Sequence, residues 1–482
     1  MAGTETANAE RHSGVLNAAH TADVREVHRP LLLALCLAEV AACALGLTWH
    51  RYQFILGSLN RKHVAYVVIP AVVLVVSLIS IARWVGHTWA ADRRTLILTA
   101  ALNAGPLGIA FCGGELTTRL LTVPTALGPM IRGVVLLPKS WQAMRARNLA
   151  LLERAPAKIS YFVADTLLGW SVGASRRSTD GMYASSAEAI RSPVPGIAYS
   201  RQRARHTIAV IGDSYTFGLE VPFADSWAAR LEHELGQDFR VLNFGVDGYG
   251  VDQAYLRYAR DVRPWHPTLV IFGFIEHDLY RSMSIHNFIT FPEWGFPFSK
   301  PRFAYIGDSL ALLNVPIPSP GAIAREPTVA DLPYLEFEPA FHRSEWTWQW
   351  YDRSRLIRFV LSRFPPYYAD NPLADLPTEL RVNLALLTRF AHEAPRDGTV
   401  PLIVYLPSRG DYIGWDRSEK DSVLRQLERG GILFENLTSC LGTAGGAQLF
   451  IPGHPHYAPS GNAAVAGCLL PVVRSILTGP AK

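Results

Sequence analysis

Apolar positions fall into two regimes along the chain. Near the N-terminus they form long runs. Leu31 to Trp49 is apolar but for Glu39, and Val64 to Ala82 carries only small polar residues. Thr95 to Phe111 is less pure, holding Asn103, Gly105 and Pro106. About 17–25 apolar residues cross a bilayer as a helix. The runs therefore predict about three transmembrane helices within 31–121, after a polar tail at 1–30. The first run starts too late for a cleaved signal peptide. Glu39 is costly in lipid, which suggests a helix partner or a shallow position.

Downstream, the spacing shortens. Residues 122–205 read as a juxtamembrane lead-in and linker. Pro138 to Arg154 suits an amphipathic helix at the membrane surface, and Ser175 to Arg205, rich in Ser, Arg, Gly and Pro, suits loop. From 206 strands and helices alternate. Strand patterns fall at 207–211, 240–243, 267–274 and 401–406, with helical patterns at 226–235, 251–262, 376–393, 418–429 and 460–477. This alternation predicts a parallel sheet covered on both faces, in a domain spanning 206–482. It breaks over about 285–370, which reads as an insertion with a hairpin-like stretch at 302–314. The insertion also holds a cluster of Trp346, Trp348, Trp350 and Tyr351, read as core ahead of a sugar platform.

Composition agrees with this division. The 482 residues are 49% hydrophobic and 18% charged, below the roughly 25% charged of an average soluble protein. The net charge of +5 comes without a long basic run, which argues against a nucleic-acid partner and for a lipid bilayer. Arg11, Arg25, Arg29, Arg83, Arg93 and Arg94 would share one side, against Arg51, Arg61 and Lys62. The positive-inside rule then places the N-terminus in the cytoplasm and the large C-terminal part outside it, at the cytoplasmic (inner) membrane. Cys36, Cys43 and Cys112 lie in or beside the spans as small apolar fillers. Cys440 and Cys468 are either a disulfide or two buried thiols.

Candidate chemistry gathers where sites form in open parallel sheets, at the carboxyl ends of strands. Gly212-Asp213-Ser214-Tyr215 follows the first strand pattern. Asn243 to Gly250, rich in glycine, follows the second, and Ile275-Glu276-His277-Asp278 the third. His454-Pro455-His456 precedes the last helix. A serine hydroxyl needs a base to take its proton, and histidine is the natural one. Gly307-Asp308-Ser309 repeats the tripeptide, but between two short apolar runs it reads as a hairpin turn. No cluster with metal-ligand spacing stands out, and no cofactor is expected.

Over about 206–482, these blocks resemble the SGNH hydrolase superfamily, the GDSL esterases. The resemblance implies a flavodoxin-like α/β/α sandwich and acyl-ester hydrolysis or transfer. It implies Ser214 as nucleophile and oxyanion donor, the Gly248 N–H as second donor within a block opened by Asn243, and His456 as base. Asp213 reads as a structural turn residue and His454 as the weaker base candidate. Two positions depart from the family pattern. His277-Asp278 stands where the family has Asn-Asp, so His277 would be the third donor. No Asp occurs after Asp421, although the family usually places one two or three residues before the catalytic His. A Ser–His dyad is therefore expected, with His456 held by a backbone carbonyl, Glu435 or Asp278. The implied substrate is an acylated glycan or small ester. A lipase or thioesterase acting on membrane lipids, and a non-catalytic envelope protein with a degenerate site, are the alternatives. The apolar helices leave room for a membrane partner protein.

Overall fold

The computed structural model describes residues 72–83, 108–125, 128–202, 204–363, 376–414 and 419–478, with positions 34, 37, 38 and 41. They divide into two compact units, one within 1–140 and 343–370, the other within 141–342 and 371–482.

The larger unit is built on a seven-stranded sheet: β1 (Ala184–Ser185), β2 (Arg191–Ser192), β3 (His206–Ile211), β4 (Phe239–Asn243), β5 (Leu269–Phe274), β6 (Val400–Tyr405) and β7 (Phe434–Asn436), in the order β7-β6-β5-β3-β4-β2-β1. From β3 to β7 all pairings are parallel. Numbered along the chain, those five strands stand 2-1-3-4-5, the flavodoxin-like order. The hairpin β1–β2 adds an antiparallel edge through the pair Arg191–Asn243.

Side-chain alternation along each strand builds the two faces. Ile208 and Val210 of β3 pack with α2 (Trp227–Leu235), α7 (Thr438–Ala444) and α8 (Pro459–Thr478). Ala209 and Ile211 join the opposite cluster with α3 (Val251–Arg257), α5 (Leu376–Glu393) and α6 (Glu419–Arg429). Two short helices follow strands on the catalytic edge: α1 (Ser214–Phe217) after β3 and α4 (Glu276–Arg281) after β5. Ser226 caps α2, its hydroxyl accepting from the Ala229 N–H. Cys440 on α7 and Cys468 on α8 are joined by a disulfide, which resolves the choice left open above.

Several expectations are corrected. Segment 175–205 is not simply loop, since it supplies β1 and β2. The helix read as membrane-surface, Trp141–Glu153, belongs to the larger unit, where Trp141 Nε1 donates to Glu326 O and Arg145 Nε to Ala324 O. β7 and α7 carry too few apolar positions for a periodic signal. The repeat Gly307-Asp308 does turn a hairpin, Arg302–Ile306 with Ser309–Leu313. Residues 343–370 of the predicted insertion belong to the smaller unit. There Trp348 and Trp350 are exposed, 58% and 80%, rather than core.

Among the described residues, one helix is long and apolar enough to cross a membrane, Pro459–Leu477 within α8. It is not one of the three expected spans, and Val465, Leu469 and Val473 bury it against the sheet. Of the first expected span only positions 34, 37, 38 and 41 are described; Glu39, Cys36 and Cys43 lie outside the described residues. The second is described as the shorter apolar helix Val72–Arg83, and the third only from residue 108, in a helix running to 121. In that helix the Glu115 carboxylate accepts from Ser354 Oγ and the N–H groups of Arg355 and Leu356, capping the helix Arg355–Arg363.

Candidate active site

The reversal of strand order between β3 and β5 opens a crevice at their carboxyl ends. Ser214 sits on one side of it, at the first position of α1. Asp213 caps that helix, its Oδ1 accepting from the Tyr215 N–H at 2.9 Å. Gly212 enters the turn at φ +150°, where a Cβ would lie 2.4 Å from the Gly273 carbonyl oxygen. No other residue type fits there without moving β5. Ser214 is 1% exposed.

His456 arrives from a turn locked at both ends. Ile451 N–H donates to His456 O, and Ala458 N–H to Leu449 O. Tyr215 ties this turn to the serine, its Oη donating to Pro455 O at 2.7 Å, while Trp227 Nε1 donates to Tyr215 O. The result is a short contact: His456 Nε2 lies 3.0 Å from Ser214 Oγ.

The expected dyad is corrected here. His456 Nδ1 lies 2.9 Å from Glu220 Oε2. Glu435 lies on β7, and Asp278 faces Arg281, so neither orients the imidazole. The carboxylate requires a proton on Nδ1, which leaves the Nε2 lone pair facing the hydroxyl. The His456 hydrogen bond also holds the Glu220 carboxyl below the usual carboxylate range. Ser214, His456 and Glu220 thus form one hydrogen-bonded line.

Glu220 is delivered by a strained turn. It has φ +67°, uncommon for a residue with a side chain, and its N–H donates to Tyr183 Oη at 2.9 Å. The fully buried Arg191 of β2 clamps the same turn. Its guanidinium donates to the carbonyls of Phe217, Gly218 and Val221 and lies 4.3 Å from the Phe217 ring centre. Burial pulls its pKa down to about 10, so it stays charged at neutral pH. The segment expected as linker is therefore part of the support of the site.

On the other side of the crevice, Asn243 braces the β4 loop. Its Nδ2 donates to Thr216 O and its Oδ1 accepts from Gly245 N–H, both at 2.9 Å. Gly248 has φ +79°, a left-handed conformation that favours glycine. No described residue accepts a hydrogen bond from its N–H. Trp170 lies beneath, donating from Nε1 to Asp247 O at 2.9 Å. After β5, His277 is exposed on α4, while its neighbours Glu276 and Asp278 are buried.

Under the serine lies a buried charge cluster. Arg281 Nη1 reaches Asp213 Oδ2 at 2.9 Å and Asp278 Oδ1 at 2.7 Å, and its guanidinium is 4.8 Å from the Trp294 ring centre. One cation faces two carboxylates. Burial and the charge of Asp213 push the Asp278 carboxyl well above its ordinary value. Asp278 also accepts from the Ile275 N–H, so it fixes the β5–α4 corner. His454 lies beside His456, with its Nδ1 3.0 Å from the other Glu220 oxygen, Oε1. Among the described residues no group of His, Cys, Asp and Glu could hold a metal. Two cavities, of about 860 and 440 Å³, are lined by neither Ser214 nor His456.

No known family model matches the chain, and no curated protein matches it. Similar solved structures include a protein of the G-D-S-L family from Desulfitobacterium hafniense DCB-2, at 14% identity over 56% of this chain and 99% of its own, with a TM-score of 0.29. They also include TesA, at 14% identity over 56% and 99%, TM-score 0.31. A third is Axe2, an acetylxylan esterase from Geobacillus stearothermophilus, at 16% identity over 57% and 95%, TM-score 0.30. The class defined by the strand order is a parallel, flavodoxin-like α/β sandwich with a serine at its switch point. Likeness at those TM-scores adds nothing to that statement.

Proposed function

We propose that this chain is a serine-dependent O-acyl esterase or acyltransferase of the SGNH hydrolase type, acting through an acyl-Ser214 intermediate on the extracytoplasmic side of a membrane. The observation that carries the reading is the unbroken line from Ser214 Oγ through His456 Nε2 and Nδ1 to Glu220 Oε2. Ser214 Oγ attacks the ester carbonyl while its proton passes to His456 Nε2. The Ser214 and Gly248 N–H groups receive the oxyanion, with His277 as the third donor. The proton on Nε2 then passes to the departing alkoxide. Water hydrolyses the acyl-serine, or a sugar hydroxyl accepts the acyl group, with His456 again taking the proton. Glu220 stabilises the imidazolium formed in each half-reaction.

Against a degenerate site, for which the missing Asp and the missing Asn both speak, Glu220 supplies an acid for His456. A small acyl group on a carbohydrate is the preferred substrate, and a long lipid chain is the alternative that the ester assay separates. The carbohydrate class itself rests on analogy of fold. The membrane tether is supported by side chains outside the sandwich. Val72, Val75, Val76, Leu78 and Ile79 of one helix, and Ile109, Leu116 and Leu120 of another, are each more than half exposed. Faces of that kind call for lipid or a partner.

The reading is tested by turnover of p-nitrophenyl acetate and of a long-chain p-nitrophenyl ester. The wild type should hydrolyse the acetate faster, and Ser214→Ala should abolish the activity. Equal rates for the two proteins would reject the enzyme reading for these esters.

A further inference from the structure

Glu220 is shared by two histidines, and the mechanism uses only one. His456 takes Oε2, and His454 takes Oε1 with its Nδ1 at 3.0 Å. His454 stands two residues before His456, where the resemblance leads one to expect an aspartate. Its side chain is 56% exposed, against 13% for His456.

Such an arrangement answers a physical difficulty. Glu220 has three side-chain torsions, is 30% exposed and comes from an irregular turn. Its terminal torsion is broad and roughly two-fold, so one hydrogen bond leaves the carboxylate free to rock about that bond. Freezing a glutamate also costs rotamer freedom. A donor on the second oxygen fixes the carboxylate plane before substrate arrives. No other side chain donates to either oxygen of Glu220 among the described residues; the remaining support, Tyr183 and Arg191, acts on the turn's backbone. The single turn 451–456 carries both imidazoles, so the carboxylate that orients His456 is tied back to the segment that presents it.

We infer that His454 is a positioning residue: its Nδ1–H holds the second oxygen of Glu220 and so fixes the acid that orients His456. This rests on the Ser214–His456–Glu220 reading. The acid has moved from the turn before the base to the turn after the nucleophile, and a histidine at the vacated place pins it from the far side. Asparagine can place its side-chain N–H₂ near where the Nδ1–H of histidine lies. His454→Asn should therefore keep the contact, whereas His454→Ala removes it.

The test measures kcat and KM for p-nitrophenyl acetate in full-length wild type, His454→Ala, His454→Asn and Glu220→Gln, with thermal melting as the folding control. His454→Ala should lower kcat about tenfold, the scale of a small misplacement of a catalytic group. KM and melting should stay near wild type, because His454 is exposed, and His454→Asn should recover most of the lost kcat. Two results would overturn the inference while leaving the reading of the site intact: His454→Ala at wild-type kcat while Glu220→Gln is impaired, or Asn no better than Ala. An inactive wild type, or Glu220→Gln as fast as wild type, would instead remove the reading on which it rests.

Discussion

Glu220→Gln isolates the least expected element of the site. It keeps the side chain's size and one acceptor oxygen but removes the charge facing His456 Nδ1 at 2.9 Å. Two unit charges about 4 Å apart interact by about 4 kcal/mol at an effective dielectric constant near 20, and by about 1 kcal/mol in bulk water. The Glu220 side chain is 30% exposed, so an intermediate figure of about 2–3 kcal/mol applies. That stabilisation acts on the imidazolium of the transition state and not on the neutral ground state. At about 1.4 kcal/mol per factor of ten, kcat should fall roughly 30- to 150-fold. KM should hold, because Glu220 is not placed to touch substrate. The assay is steady-state hydrolysis of p-nitrophenyl acetate at pH 8, with circular dichroism to check folding. A loss of less than about threefold in a folded variant would refute the reasoning, and His456 would then act without an acid.

Four further outcomes follow from the same contacts. Arg191→Met removes the donors to the Phe217, Gly218 and Val221 carbonyls; stability should fall by about 1–3 kcal/mol in urea titration, with kcat falling as the Glu220 turn relaxes. Arg281→Met leaves Asp213 and Asp278 facing each other without a cation and should cost about 3–5 kcal/mol. Asp278→Asn keeps an acceptor for the Ile275 N–H and should cost far less at neutral pH, since Asp278 already resists ionisation. Glu220 titrates lower in the folded chain than its ordinary 4.5, so its contribution to stability is present above that value and lost as pH falls through the folded one. The urea midpoint of wild type should thus converge on that of Glu220→Gln as pH drops below about 4.5, and a gap that widened on acidification would contradict the sign.

How far the sequence reaches is clear from particular residues. Ser214 and His456, which the structure brings to 3.0 Å, are legible because one sits just after an apolar strand pattern and the other just before a helix. The parallel sheet is legible from alternation alone, while its flavodoxin-like order is implied only by the resemblance. Glu220 is not legible, because nothing local marks it. It becomes a partner of His456 only through a left-handed turn held by Arg191 and Tyr183, both from a segment whose Ser, Gly and Pro content reads as linker. A signal did exist in the lack of any Asp after Asp421, which left room for an acid from another loop on the same sheet edge. The hairpin β1–β2 escaped because each strand is two residues long, too short for a period-2 pattern. The exposed Trp348 and Trp350 were misread because an aromatic cluster looks alike in a core and on a surface.

The central claim is that His456 and Glu220 activate Ser214 as a nucleophile. A fluorophosphonate probe tests this without knowledge of the substrate, read by mass spectrometry of the labelled peptide. The account predicts a single phosphonylated residue, Ser214, formed quickly in wild type, slowly in Glu220→Gln and His456→Ala, and absent in Ser214→Ala. Folded wild-type protein that stays unlabelled, or is labelled at Ser309 in its place, would contradict it.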